Sequence, residues 1–434
     1  MARLSIRHVP FALFFAVAAL ARAEDGLVLE NGLRVFAREV SGSERVAVLV
    51  LYRIGEGHDP EGRSGTGHLI EHLLVTAPAR LSPRRTLEET AARYCRAFRA
   101  RTGEGATLIG GVVERGRLEE ELSDVAARMA ALRPEEQDLE RERAQIEDEI
   151  GAMWERTPAL VAANCARDLV LEPPPGTRRG GTREGLAAAD LALVRDRLAR
   201  FYKPRNAILS IAGGIEPQEA LALARRNFAA ISPGERPPPP RRAAPRARAE
   251  APVEIEIAID PARPRARALE RPLSVAVVPA PEPPDPDFAP FLVLAARLGI
   301  EGARARVLVS FEPLEDGRVA VLSTSEGAAA LEAFLAAAAR DCGRGAPSQP
   351  EADMAAVPVL GERRQNELEA ALRPAACFHL GIDPGALRGA IGRVTAADMA
   401  RVAGRYLAPG RAGIVTVTER RDTAKEDRQE KNKE

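Results

Sequence analysis

Histidine is scarce in this chain, with 5 among 434 residues, alongside 4 cysteines and 1 tryptophan. Excess charge is missing altogether. The 62 basic residues balance 62 acidic ones, so neither a nucleic acid nor an anionic membrane surface is expected as the main partner. After an apolar run near Phe11 to Leu20, no segment reaches the roughly 20 apolar residues that a membrane helix needs, so stable membrane insertion is not expected. Cys95, Cys165, Cys342 and Cys377 fall two in each half and lack the spacing of zinc knuckles. They can pair within each half or serve as small buried apolar residues. What remains is a chain with 45% hydrophobic residues, long enough to bury a sizeable core in two or three domains.

The N-terminus reads as an address. Arg3 and Arg7 precede the apolar run, and Ala21-Arg22-Ala23 stands before Glu24, an A-x-A cleavage pattern. Residues 1–23 are therefore expected to be a signal peptide, and the mature protein to be exported, periplasmic or secreted. No cysteine follows the apolar run, so a lipid-anchored N-terminus is not expected.

Beyond it, the chain is organised by repetition. "RVAVLVLYRIGEG" reads as a strand and a Gly-rich loop leading into a helix, and "LSVAVVPAPEPPDPDFAPFLVLAARLG" repeats that order with Pro-rich turn material. The endings match too: "LALVRDRLARFYKPRNAILSIAGG" and "TAADMARVAGRYLAPGRAGIVTVTE" are each helix, turn and strand, with Tyr406 standing where Tyr202 stood. The pattern predicts an α+β chain of two homologous α/β-sandwich halves, each a mixed sheet packed with helices, over residues 24–231 and 253–420. Between them, residues 232–252 are rich in Pro and Arg and read as a semi-rigid, solvated linker without the interleaved aromatics of a nucleic-acid site. Residues 421–434 are charged, lack an apolar face and are expected to be disordered.

Two of the rare histidines stand together in "GTGHLIEHLL". On a helix of about 3.6 residues per turn, His68 and His72 project from one face with Glu71 beside them. This is the geometry of two metal ligands and a base, and equally of a solvated helix with two imidazoles. A third ligand is absent nearby. Further on, "PEEQDLERERAQIEDEIGAMW" favours helix and puts Glu142 and Glu149 two turns apart on one face. His58 and His379 read as a loop residue and a packed helix-end residue, and Gly65 and Gly67 as the turn into the histidine helix.

H-x-x-E-H, followed after 76 intervening residues by Glu149 and with Glu142 seven residues before that, resembles the insulinase, pitrilysin and mitochondrial processing peptidase family of inverted-motif zinc peptidases. The likeness is closest to bacterial processing-peptidase-like members. It extends over "GEGHDPEGRSGTGHLIEHLL", over "PPPGTRRGGTREGLAAADLALVRDRLARFYKPRNAILSIAGG" and over the ending of the second half. The resemblance implies one Zn²⁺ per chain held by His68, His72 and Glu149, with Glu71 as general base and Glu142 orienting a ligand from behind. It implies a second half without a zinc site, and a clam-like pair of halves around a chamber suited to unfolded peptides.

Two departures stand out. The family's N-A-x-T strand segment corresponds to "RART", with Arg99 in the place of an asparagine thought to touch the substrate backbone. The arginine-to-tyrosine clamp corresponds to Arg304 and Phe311, and Phe311 has no hydroxyl to donate. The expectation is an exported zinc metalloendopeptidase acting on peptides or unfolded polypeptides, with Arg99 and Arg304 as weak substrate contacts. A second, zinc-free family subunit, or another copy of the chain, is expected to complete it. The alternatives are a non-catalytic scaffold or binding subunit that retains the metal site, and a structural zinc protein without turnover.

Overall fold

The computed structural model of the protein describes residues 26–95, 97–156, 158–175, 177–249, 251–257, 271–311, 318–342, 344–360 and 366–419. The expected signal peptide and charged tail lie outside the described residues.

Runs of Val, Ile and Leu set the strands. The first half supplies β1 (Leu27–Val28), β2 (Arg34–Glu39), β3 (Arg45–Tyr52), β4 (Arg99–Thr102) and β5 (Thr107–Glu114). β6 (Leu171–Glu172), β7 (Ala207–Gly213) and β8 (Ala244–Pro245) follow. The second half adds β9 (Val253–Ile257), β10 (Leu273–Pro279), β11 (Leu308–Ser310), β12 (Val319–Thr324) and β13 (Gly413–Glu419). The first sheet runs β1-β2-β7-β3-β5-β4 and the second, read from its far edge, β9-β13-β10-β12-β11. In each, one parallel pair, β2 with β7 or β9 with β13, adjoins a series of antiparallel pairs. The fold is α+β, and its two halves share one plan in which β11 is the counterpart of β4.

The halves exchange helices. The helix Pro158–Val170, which follows two helices after β5, packs on β10 and β13 of the second sheet. Its counterpart Glu367–Leu380 packs on β3 and β7 of the first. Ala162, Ala166, Leu169 and Val170 meet Val275, Val277, Val415 and Val417, while Ala370, Ala371 and Ala375 meet Ala47, Leu49, Ala212 and Ile208. Small side chains on these helices let them lie close to a sheet. Because the opposite faces are covered by each half's own helices, β3 and β7 are buried on both sides and read as continuous apolar runs.

Residues of the linker are tied into the junction. The Arg241 guanidinium donates to the Asp59 carbonyl at 2.9 Å, and Arg242 pairs with Glu282 at 3.0 Å. Nearby, the turn between β4 and β5 reaches across: the Arg318 guanidinium donates to both carboxylate oxygens of Glu104, at 2.9 and 3.0 Å, and Arg167 approaches the same carboxylate at 3.5 Å.

Candidate active site

The helix Thr66–Thr76 carries both histidines. Its first turn has backbone N–H groups without helical partners, and the buried Asp59 accepts from Gly65 and Gly67 at 2.8 Å each. Burial pushes the Asp59 carboxyl up to about 7 even against those two donors. Gly65 adopts φ +99°, and a Cβ there would stand 2.9 Å from the Gly181 Cα. The glycines thus allow the loop around Gly180 to press against the helix.

That contact sets the tautomer of His68, whose Nδ1 lies 3.0 Å from the Gly180 carbonyl. The carbonyl can only accept, so Nδ1 carries the proton and Nε2 keeps its lone pair. The peptide is itself held from behind, since the Gly180 N–H donates to Glu56 at 2.8 Å. His72 is fixed in the same sense by Glu142, whose carboxylate lies 3.1 Å from Nδ1. Burial works against charge on His72, but Glu142 and Glu149 override it and push the ring up to about 9. The Arg141 guanidinium donates to the other Glu142 oxygen at 3.0 Å.

Glu149, on the helix Glu136–Arg156, completes the group. Its Oε2 stands 3.8 Å from His68 Nε2 and 3.5 Å from His72 Nε2, and Gln145 donates to its Oε1 at 3.3 Å. The ligating atoms of His68, His72 and Glu149 all lie within 4.8 Å of one another. Bonds of roughly 2.0–2.1 Å at tetrahedral angles separate ligand atoms by about 3.4 Å, so a zinc-sized cation fits this triangle with small adjustments.

Glu71 is buried beside the group, and its Oε2 accepts from the Thr102 hydroxyl at 2.6 Å. Burial raises its pKa, opposed by the nearby His68 and by Thr102. The side of the cluster that faces outward opens into a cavity of about 280 Å³ lined by Glu71, His72, Val75, Phe98, Arg99 and Glu149, among others. Five expected residues, His68, Glu71, His72, Glu142 and Glu149, therefore converge, and Arg99 stands at the rim. Arg304 does not line this cavity: it is exposed in the last turn of the helix Phe288–Ala305. Phe311 is buried in the second core, its ring 5.2 Å from that of Phe291.

Thr102, Gly180 and Gln145 were not legible as site residues. Thr102 had a signal, because it closes the "RART" segment two residues from Ala100 and so shares a face with it. Gly180 had none, being 112 residues from the histidine it orients.

Residues 189–306 match the family model described as the peptidase M16 inactive domain; that stretch contains none of the clustered residues. The chain is 26% identical over 208 residues to the rat (Rattus norvegicus) mitochondrial cytochrome b-c1 complex subunit 1, covering 47% of this chain and 42% of that protein. It is 22% identical over 209 residues to the zinc protease PqqE of Helicobacter pylori, covering 48% and 47%. The chain thus spans about half the length of the curated relatives it matches. In structure it resembles a protease from Helicobacter pylori, with a TM-score of 0.73 at 17% identity over 91% of this chain and 99% of that one. It also resembles the first half of the periplasmic protease PqqL from Escherichia coli, with a TM-score of 0.64 at 17% identity over 92% of each. At such identities the solved structures share the fold.

Proposed function

We propose that the chain is a member of the insulinase and pitrilysin family of M16 peptidases and an exported zinc metalloendopeptidase that hydrolyses peptides or unfolded polypeptides, a reading supported by its similarity to M16-like relatives. The observation that carries this reading is the donor triangle of His68, His72 and Glu149 with a buried carboxylate, Glu71, alongside. Two imidazoles and one carboxylate leave a position open, as catalytic zinc sites do and closed structural ones do not. Zinc there would acidify a water and polarise a peptide carbonyl. Glu71 is the base: with Oε2 held by Thr102, Oε1 takes the proton from the attacking water and returns it to the leaving amine. Gly180 and Glu142 keep the two imidazoles in the ligating tautomer.

The substrate is an extended chain. β4 ends the first sheet, and its outer edge carries no strand among the described residues. A peptide that adds to this edge through main-chain hydrogen bonds would cross the cavity beside Glu71.

A partner chain completes the enzyme. The second half offers no counterpart of a substrate clamp at Phe311, which is buried, and misplacement of a substrate by even about 1 Å can cost a hundredfold in rate. A relative named as a subunit of a complex is consistent with assembly. The competing reading, a non-catalytic scaffold that keeps its metal site, draws on the same Arg99 and Phe311. The test is cleavage of a pool of unfolded peptides by residues 24–434, alone and with any family member encoded beside it. Zinc-dependent cleavage that falls about a hundredfold or more in Glu71→Gln, with zinc retained, is expected. No cleavage by any combination favours the scaffold.

A further inference from the structure

We propose that Arg53, Arg236 and His379 hold a small oxyanion of the phosphate class where the two halves meet. The inference stands apart from the peptidase reading, since none of these residues lines the cavity beside Glu71. Several arginines withdrawn from water in this chain sit on carboxylates: Arg85 on Asp124, Arg297 on Glu351 and Arg318 on Glu104. Arg53 and Arg236 do not. Among the described residues no carboxylate pairs with either guanidinium, and the two press on one another: burial, then Arg236, pulls Arg53 below the usual arginine range.

Three parts of the chain bring the group together. Arg53 follows β3, where its backbone N–H donates to the Asn206 carbonyl at 2.9 Å and fixes the root of the side chain. Arg236 comes from the linker. From the second half, the exchanged helix Glu367–Leu380 delivers Phe378 and His379 in its last turn. The Arg53 guanidinium lies 5.9 Å from the centre of the Phe378 ring, and His379 lies against the turn after β4, its Nε2 3.5 Å from where a Gly105 Cβ would stand. His379 Nδ1 is buried without a hydrogen-bond partner, a costly state for a polar atom. The ring also meets charge of one sign: burial, then Arg53, Arg242 and His58, hold it down to about 4.

The nearby acids are all engaged elsewhere. Glu235 pairs with Arg200 at 2.9 Å, Glu282 takes Arg242 at 3.0 Å, and Glu104 takes Arg318 and Arg167. Asp59 accepts from Gly65 and Gly67, and Glu56 from Gly180. What the junction lacks is negative charge. An anion here would accept charge-assisted hydrogen bonds from the two guanidinium groups, relieve their repulsion and give a proton on His379 Nδ1 an acceptor. The planar forks of arginine suit the paired oxygens of a phosphate-like group. Arg53 and Arg236 are both exposed, so a small ion reaches them from solvent. With one cation on the first half, one on the linker and the imidazole on a helix of the second half, the bound ion ties the halves together.

The experiment titrates the full mature chain with sulfate and with inorganic phosphate, at constant ionic strength made up with sodium chloride, and follows heat of binding and melting temperature. Both ions also stabilise proteins by exclusion from the surface, an effect that grows without saturating. A seated ion instead gives a saturable response: one site per chain, a dissociation constant on the order of 1 mM, and a melting temperature that follows mass action. Arg53→Gln and Arg236→Gln should each weaken binding by about tenfold or more. Arg344→Gln, an equal change of charge at an exposed position of the second half, should leave it as in the wild type. A response that stays linear, one that survives in both folded variants, or one that Arg344→Gln weakens as much overturns the proposal.

Discussion

At the scale of single residues, the site depends on side chains that hold others. The Thr102 hydroxyl donates to the buried Glu71 carboxylate at 2.6 Å, and Thr102→Val removes that hydrogen bond. A hydrogen bond to a charged group contributes about 1.5–3 kcal/mol. We expect kcat to fall by roughly ten- to a hundredfold with zinc content and KM little changed; unchanged kcat would show that Glu71 needs no such support. A second residue-scale effect lies away from the metal. His379 Nδ1 is buried without a hydrogen-bond partner, and burial, then Arg53, Arg242 and His58, hold the ring down to about 4. His58 is likewise held to about 4 by burial, then Arg197 and Arg242, although its Nδ1 accepts from the Gly55 N–H. Both are neutral in the fold and take up protons on unfolding below about 6.5. Their contribution is thus intact above that pH and lost as pH falls from about 6.5 towards 4. Asp59, pushed up to about 7, works with the opposite sign, so the effect must be read as a difference. Melting curves of wild type and His379→Gln should converge as the pH drops through this window, and a constant gap would contradict the assignment. The pairing of His68 with His72 was legible from spacing, because a helix translates sequence distance into a shared face, whereas Glu149 as the third member rested on the resemblance to inverted-motif zinc peptidases. Thr102 was half legible, and Gly180 was not, because a backbone carbonyl from a loop has no residue-type signature.

At the scale of elements, the edge strand beside the site is anchored by the other half. The turn after β4 places Glu104 between Arg318, just ahead of β12, and Arg167 on the exchanged helix. Its backbone is pinned as well, since Glu56 and Gly57 donate to the Gly103 and Glu104 carbonyls at 2.9 and 2.8 Å. The half without metal ligands therefore positions the strand on which a substrate would dock. Side chains of Glu104 and Arg318 are only 22% and 13% exposed, so removing Glu104 leaves the poorly solvated Arg318 with Glu282 at 3.6 Å as its remaining carboxylate partner and takes from Arg167 the same carboxylate. Glu104→Ala should cost about 2 kcal/mol or more in unfolding free energy and raise KM more than it lowers kcat. A double-mutant cycle with Arg318→Ala should give a coupling of about 1–3 kcal/mol. Additive losses would mean that the pair does not couple the halves. The strands and the order of elements in each half were legible from apolar runs and turn residues. The exchange of Pro158–Val170 and Glu367–Leu380 was not. Their alanine-rich faces look like any amphipathic helix, and only the sheet they meet, from the other half of the chain, distinguishes them.

At the scale of the molecule, one plan has been used twice and equipped once. The counterpart of the histidine helix, Phe288–Ala305, sends Phe291, Leu292 and Leu294 into the second core and carries no histidine. Tyr202 and Tyr406 hold matching places, each buried against an aromatic ring, Tyr52 and Phe291 respectively, at 5.2 Å. The duplication was legible because both halves keep the same strand, loop and helix sequence; the matching sheet orders were not, because pairing between distant strands leaves no local mark. The central claim is that His68, His72 and Glu149 form one zinc site. Its most direct test is metal analysis of mature protein prepared without chelators, for the wild type and for folded His68→Ala and Glu149→Ala. The account predicts one zinc per wild-type chain and strong loss in each variant, whereas a folded wild-type protein that binds no zinc would contradict it.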